Sequence, residues 1–137
     1  MIIDSLRNYF KGCPYLDEDK RVNVNYIGVE MSYSVDPLPC TPILKRYTDA
    51  GTQKQFQFQF SSKENYDEDA RVNIENSGFY EKFASWLESG TMNSLDDGKK
   101  PIRFEVLNSG YLYDVDGHNA RYAIECRLIY EEDAIYG

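Results

Sequence analysis

The chain has one histidine, one tryptophan and three cysteines among its 137 residues, so the side chains that most often carry chemistry are scarce. His118 stands between Gly117 and Asn119, in a stretch that reads as a turn. A general base needs an orienting partner and a nucleophile within reach. Asp114 and Asp116 could orient it, but loop tips are solvated, and His118 is read as a turn residue. Cys13, Cys40 and Cys126 are odd in number, far apart and without a neighbouring histidine. They match no metal-ligand spacing and read as thiols in a reducing cytoplasm. A calcium loop fails because Gly117 is fourth counting from Asp114, where the EF-hand needs glycine sixth. Gly98-Lys99-Lys100-Pro101 lacks the spacing of a phosphate loop, and no Gly-x-Ser-x-Gly occurs. No catalytic residue, metal ligand or cofactor is therefore expected.

Positive charge is also short. Fifteen Lys and Arg stand against 23 Asp and Glu, for a net charge of −8. Phosphate binding is driven by Lys and Arg, so this balance argues against a nucleic-acid or anionic-membrane ligand. No apolar run approaches the length of a membrane span, and Met1-Ile2-Ile3-Asp4 does not open a signal peptide. The expectation is one soluble, acidic, intracellularly made domain over residues 1–137, long enough to bury a core without staples.

What the chain does have is aromatic side chains, with 12 Tyr and 7 Phe. Most Tyr are expected half-buried with a wet hydroxyl. The stretch from Asp67 to Leu87 predicts the main helix, because Phe79, Phe83, Trp86 and Leu87 fall on one helical face. Asp67, Glu68 and Asp69 suit its positive N-terminal end, and Ser89-Gly90 supplies a stop. Asn76-Ser77-Gly78 are poor helix formers and predict a kink or a break. A short first helix carries Ile3, Leu6 and Phe10 on one stripe and ends at Gly12 and Cys13-Pro14. Leu16 to Arg21 reads as a charged loop.

Alternation predicts strands over Val22–Tyr26, continuing through Val29, Met31, Tyr33 and Val35 with a bulge or break at Gly28. Asp36 to Pro42 is proline-rich and reads as an extended loop without regular pairing. Ile43–Thr48 and Gln53–Ser62 predict two strands around a turn at Asp49–Thr52. In the second, Phe56, Phe58 and Phe60 point to one face and Gln55, Gln57 and Gln59 to the other. That amide face is either solvated or meets another subunit. Beyond a polar loop at Asn93–Lys100, a strand over Ile102, Phe104 and Val106 runs through Asn108-Ser109-Gly110 into Tyr111 and Tyr113. A hairpin connection at Asp114–Asn119 leads to the last strand, Arg121–Tyr130, and Ala134–Gly137 is expected to fray. Two hairpins and two helices predict an α+β fold: a mainly antiparallel sheet with both helices on one face. Leu16–Asn23 echoes Tyr66–Asn73, but nothing around the two copies repeats, and the echo is read as coincidence.

Three segments carry a resemblance: Met1–Phe10, Ile74–Phe83 and Arg121–Tyr130. Together they resemble a family of small minor structural proteins of tailed phages and prophages of Gram-positive bacteria. The chain is similar in size and element order to tail terminator, or tail completion, proteins. The resemblance implies a homohexameric ring on the head-proximal end of the tail tube. Such a ring stops tube polymerisation and faces the head connector. Its partners would be other copies of itself, the tail tube protein and the connector or neck protein, with no sequence-specific nucleic-acid contact. Its location would be the bacterial host cytoplasm during assembly and then the virion tail or neck. A different neck, head–tail joining or minor capsid role is the nearest alternative.

Some relatives in this family are called chloramphenicol resistance proteins, which raises an acetyltransferase as a remote alternative. Such enzymes use a His-His-x-x-x-Asp-Gly motif; Asp116-Gly117-His118 has the wrong order and lacks the paired histidine. No residue-level signature transfers from the family. The candidate contact surfaces are instead the Gly28–Pro42 segment, the face of Gln55, Gln57 and Gln59, and the strand arginines Arg46, Arg103, Arg121 and Arg127. Those arginines could pair with acidic groups across a subunit boundary.

Overall fold

The computed structural model describes residues 2–16, 22–24, 33–48, 51–65, 70–90, 92, 95, 99–116 and 119–133. In chain order the elements are α1 (Ile2–Phe10), β1 (Val22–Val24), β2 (Tyr33–Pro37), β3 (Ile43–Arg46), β4 (Thr52–Asn65), α2 (Ala70–Ser89), β5 (Lys99–Val106), β6 (Tyr111–Asp116) and β7 (Asn119–Glu132). The fold is α+β, with one mainly antiparallel sheet of seven strands.

Two 14-residue strands, β4 and β7, form the spine of the sheet. They pair without interruption from Thr52↔Glu132 to Asn65↔Asn119. Each spine strand is flanked by an outer edge made in two pieces. On β4, β2 pairs with one half and β3 with the other. On β7, β5 pairs with one half and β6 with the other. β1 lies outside β2 and is parallel to it. β4 and β5 run parallel on either side of β7, so α2 is the crossover between them, as parallel strands require.

Strict alternation along the spine separates two faces. Phe58 and Phe60 oppose Cys126 and Ile124 on one face, joined by Leu128, Tyr122, Val35 and Phe104. These side chains are all buried, and both helices pack onto them. Phe10 of α1 is the hub: its ring lies 5.5 Å from Phe60, 5.6 Å from Phe58 and 5.7 Å from Phe83 of α2. Phe83 in turn stacks on Phe60 at 4.4 Å. Aromatic pairs in this range add about 0.5–1.5 kcal/mol each beyond their area burial.

Several local expectations need correction. α2 continues unbroken through Asn76-Ser77-Gly78 to Ser89, because packing of Tyr80, Phe83 and Leu87 outweighs weak propensity. Its expected acidic start, Asp67–Asp69, lies outside the described residues. Regular pairing reaches Pro37, which sits opposite Phe58 at the end of β2, where an edge strand tolerates a missing N–H. β5 starts at Lys99, within the expected polar loop. The strand expected to run on into Tyr113 is interrupted at residues 107–110. Val22–Val24 and Tyr33–Val35 belong to two parallel neighbours; the expected break at Gly28 lies outside the described residues. Tyr33, Tyr80, Tyr122 and Tyr130 are buried, not half-buried. The Tyr80 hydroxyl is satisfied internally: it donates to the Tyr122 carbonyl at 3.2 Å and contacts Ser62 Oγ at 2.5 Å.

Candidate assembly surfaces

The second sheet face is polar, and its centre is an ordered network. Arg127 contacts Glu105 through Nη2 at 2.6 Å and through Nε at 2.8 Å. Its Nη1 also donates to Gln55 Oε1 at 3.1 Å. Gln57 donates to the same oxygen at 3.1 Å, and Gln55 Nε2 donates to the Thr41 carbonyl at 2.8 Å. Arg103 approaches Glu105 at 3.5 Å. Burial pushes the Glu105 carboxyl up, but the hydrogen bonds and charges of Arg127 and Arg103 outweigh it and hold the group below its ordinary value. Farther along the polar face Arg121 pairs with Asp114 at 3.8 Å, while Lys54 and Glu132, which alternate onto the helix face, pair at 2.5 Å.

This geometry distributes the expected contact residues unevenly. Arg103, Arg121 and Arg127 find acidic partners within the same chain. Gln55 is buried beneath the 38–42 bridge, while Gln57 and Gln59 are half-buried. Arg46 is exposed and has no ion-pair partner among the described residues. Of the Gly28–Pro42 segment, residues 33–37 are β2 and residues 38–42 are the bridge to β3; residues 28–32 lie outside the described residues. His118 also lies outside them.

Features that no sequence pattern disclosed lie at the two lateral edges. Each outer strand of the β5/β6 edge carries an irregularity, between Pro101 and Arg103 in β5 and between Leu112 and Asp114 in β6. β3 has one between Ile43 and Lys45, which leaves Leu44 as the bulged residue. Bulges of this kind blunt an edge against indiscriminate strand pairing. The edges nevertheless keep exposed apolar side chains: Leu44 on β3, and Leu107, Tyr111, Leu112 and Val115 along β5/β6. Only the pairing register shows that these residues stand on outer strands, Leu44 at a bulge and Tyr111, Leu112 and Val115 beside β7 alone.

Beside the β5/β6 edge, on the helix face, a cleft of about 480 Å³ opens between α2 and residues 106–110. Ala84 and Val106 give it an apolar floor above the buried Ile124, and Glu81 and Glu88 of α2 stand on its wall. Asn108, on the opposite wall, is pinned to β7: it accepts from Glu125 N at 3.0 Å and donates to Glu125 Oε2 at 3.1 Å. Gly110 passes so close to Tyr80 that a Cβ there would lie 2.5 Å from the Tyr80 Cβ and Cγ. The cleft wall is therefore fixed by glycine at one end and by the Asn108 side chain at the other. Burial, and then the charges of Glu88 and Glu125, push the Cys126 thiol well up, so that buried sulfur stays protonated and inert.

Among the described residues, no group of three His, Cys, Asp or Glu is arranged to hold a metal ion. Nor is any described helix long and apolar enough to cross a membrane. Comparison with protein-family models and with curated proteins returns no match.

Proposed function

We propose that this chain is a structural subunit of a tailed phage or prophage, the tail terminator that caps the head-proximal end of the tail tube. The reading rests on the resemblance of Met1–Phe10, Ile74–Phe83 and Arg121–Tyr130 to that family. The structural observation that carries it is the pair of unlike lateral edges. One edge presents β3 with Leu44, Lys45 and Arg46 exposed; the other presents β5/β6 with Leu107, Leu112 and Val115 exposed. A subunit that joins copies of itself head to tail needs two different, complementary surfaces, and a rotation that closes gives a ring. In this reading six copies form the ring in the host cytoplasm, and the ring stays in the virion between the tube and the head connector. An acidic subunit also suits a ring that DNA must pass without being held, since like charges repel.

Electron microscopy of tails assembled with and without the protein tests this role. Long tubes of variable length in its absence, and uniform capped tubes in its presence, are expected. Tubes of normal length that fail to join heads would assign it to the neck. Unchanged length and unchanged joining would overturn both.

A further inference from the structure

The cleft between α2 and residues 106–110 has a floor suited to an aliphatic side chain and a wall suited to cations. Glu81 and Glu88 are exposed, and neither has an ion-pair partner among the described residues. They lie seven positions apart on α2, about 10 Å along the axis, on the same helix face as Ala84. The matching ligand is a short extended segment with one exposed aliphatic residue next to exposed positive charge that is held in no ion pair.

The chain itself contains such a segment. In β3, Leu44 is 40% exposed at the bulge, and Lys45 and Arg46 follow it, both exposed. Other exposed cations among the described residues fit less well. Lys82 is on α2 itself, Lys100 is on the β5 edge beside the cleft, Lys11 follows α1 without an exposed aliphatic neighbour, and Arg103 is committed to Glu105. β3 lies on the β4 side of the spine and the cleft on the β7 side, so one molecule cannot satisfy its own cleft. A second copy can.

We infer that the cleft of one subunit receives β3 of the next, with Leu44 over Ala84 and Val106 and with Lys45 and Arg46 against Glu81 and Glu88. The contact is heterologous, because the two surfaces differ and lie on opposite edges. It leaves each subunit with one used and one free surface until a ring closes. This rests on the ring-forming role proposed above and names the surfaces that would build it. Charge pairs steer the encounter, while the aliphatic anchor supplies the dry centre.

Charge exchange in the full-length chain tests the contact. Two double variants, Glu81→Lys with Glu88→Lys and Lys45→Glu with Arg46→Glu, alter only exposed side chains. Sedimentation velocity at low salt should show self-association of the unaltered chain, weakened roughly tenfold or more in either variant alone. An equimolar mixture of the two variants should associate again, because each β3 then meets a cleft of opposite charge. A zero-length carbodiimide cross-link between Lys45 and Glu81 or Glu88, formed between isotopically distinct copies on assembled tubes, should accompany it. Self-association indifferent to both variants overturns the inference. So does a chain that stays monomeric in solution and yields no such cross-link on tubes. Tail length in the absence of the protein is read separately, so a terminator that assembles through other surfaces is distinguished from a chain with no role in tails.

Discussion

The two lateral edges of the sheet solve one problem in different ways. Each flanks a 14-residue spine strand with two shorter strands and a bridge between them. The β2/β3 bridge is proline-rich and is fastened from below. Gln55 N donates to the Pro42 carbonyl at 2.8 Å, its side chain to Thr41, and Leu38 N donates to Gln57 at 2.9 Å. The β5/β6 bridge is fastened by Leu107 N, which donates to the Glu125 carbonyl at 2.8 Å, by the Asn108 side chain on Glu125, and by the close approach of Gly110 to Tyr80. Both bridges are tied to a spine strand, but at the first the fastening side chain belongs to the spine and at the second to the bridge. The same difference decides what each edge exposes. Proline and the buried Gln55 seal the polar face at the first bridge, whereas the second stands off the helix face and leaves a cleft.

Both edges share the core, and removing its hub should erase the distinction between them. Phe10→Ala is expected to cost about 3–5 kcal/mol, since Phe10 is fully buried among aromatic rings. Chemical denaturation would measure it, and hydrogen exchange should rise at both edges together. Gly110→Ala acts on one edge. With Tyr80 backbone-anchored in α2, the methyl forces the bridge outward at about 1–3 kcal/mol, and thermal melting should fall accordingly. A neutral result would mean that the bridge yields freely.

Asn108→Ala removes the acceptor for Glu125 N and should cost about 1–2 kcal/mol. Faster exchange is expected in β6 and in the bridge, with β3 unchanged. Gln55→Ala is the mirror experiment, expected at about 1 kcal/mol, with faster exchange in β3 and none in β6. If either variant loosened both edges, the two bridges would not be independent. The smallest effect is electrostatic. Glu105 has its folded pKa held below its ordinary 4.5, so its stabilising contribution is complete above that pH. It is lost as pH falls through the lower folded value. Glu105→Gln should remove that part of the acid sensitivity, less than about 1 kcal/mol for a pair this exposed, as read from denaturation midpoints against pH.

Much of the architecture was legible in the sequence because it depends on local periodicity. The Gln55–Phe60 alternation and the Arg121–Tyr130 alternation mark the spine strands, and Leu6, Phe10, Phe83 and Leu87 mark the helix faces that cover them. The candidate contact residues were less legible. Arg121 and Arg127 read as uncommitted strand arginines, and only strand register reveals Asp114 and Glu105 beside them, whereas Arg103 meets Glu105 two residues along its own strand. Gln55 reads like Gln57 and Gln59, yet a bridge folded over it makes it a buried structural residue. Arg46 alone of the seven remains exposed and unpaired by charge among the described residues.

The sequence by itself determined which residues alternate, which form a helical stripe, and that the chain carries an excess of negative charge. Those properties follow from chemical identity and spacing alone, so no partner strand is needed to read them. The tertiary structure decided which strands are neighbours, where each outer edge breaks, and which apolar and charged side chains are left facing outward. Those depend on register and on contacts between residues distant in sequence. A single strand fixes the faces of its side chains, but only its neighbours fix what those faces meet.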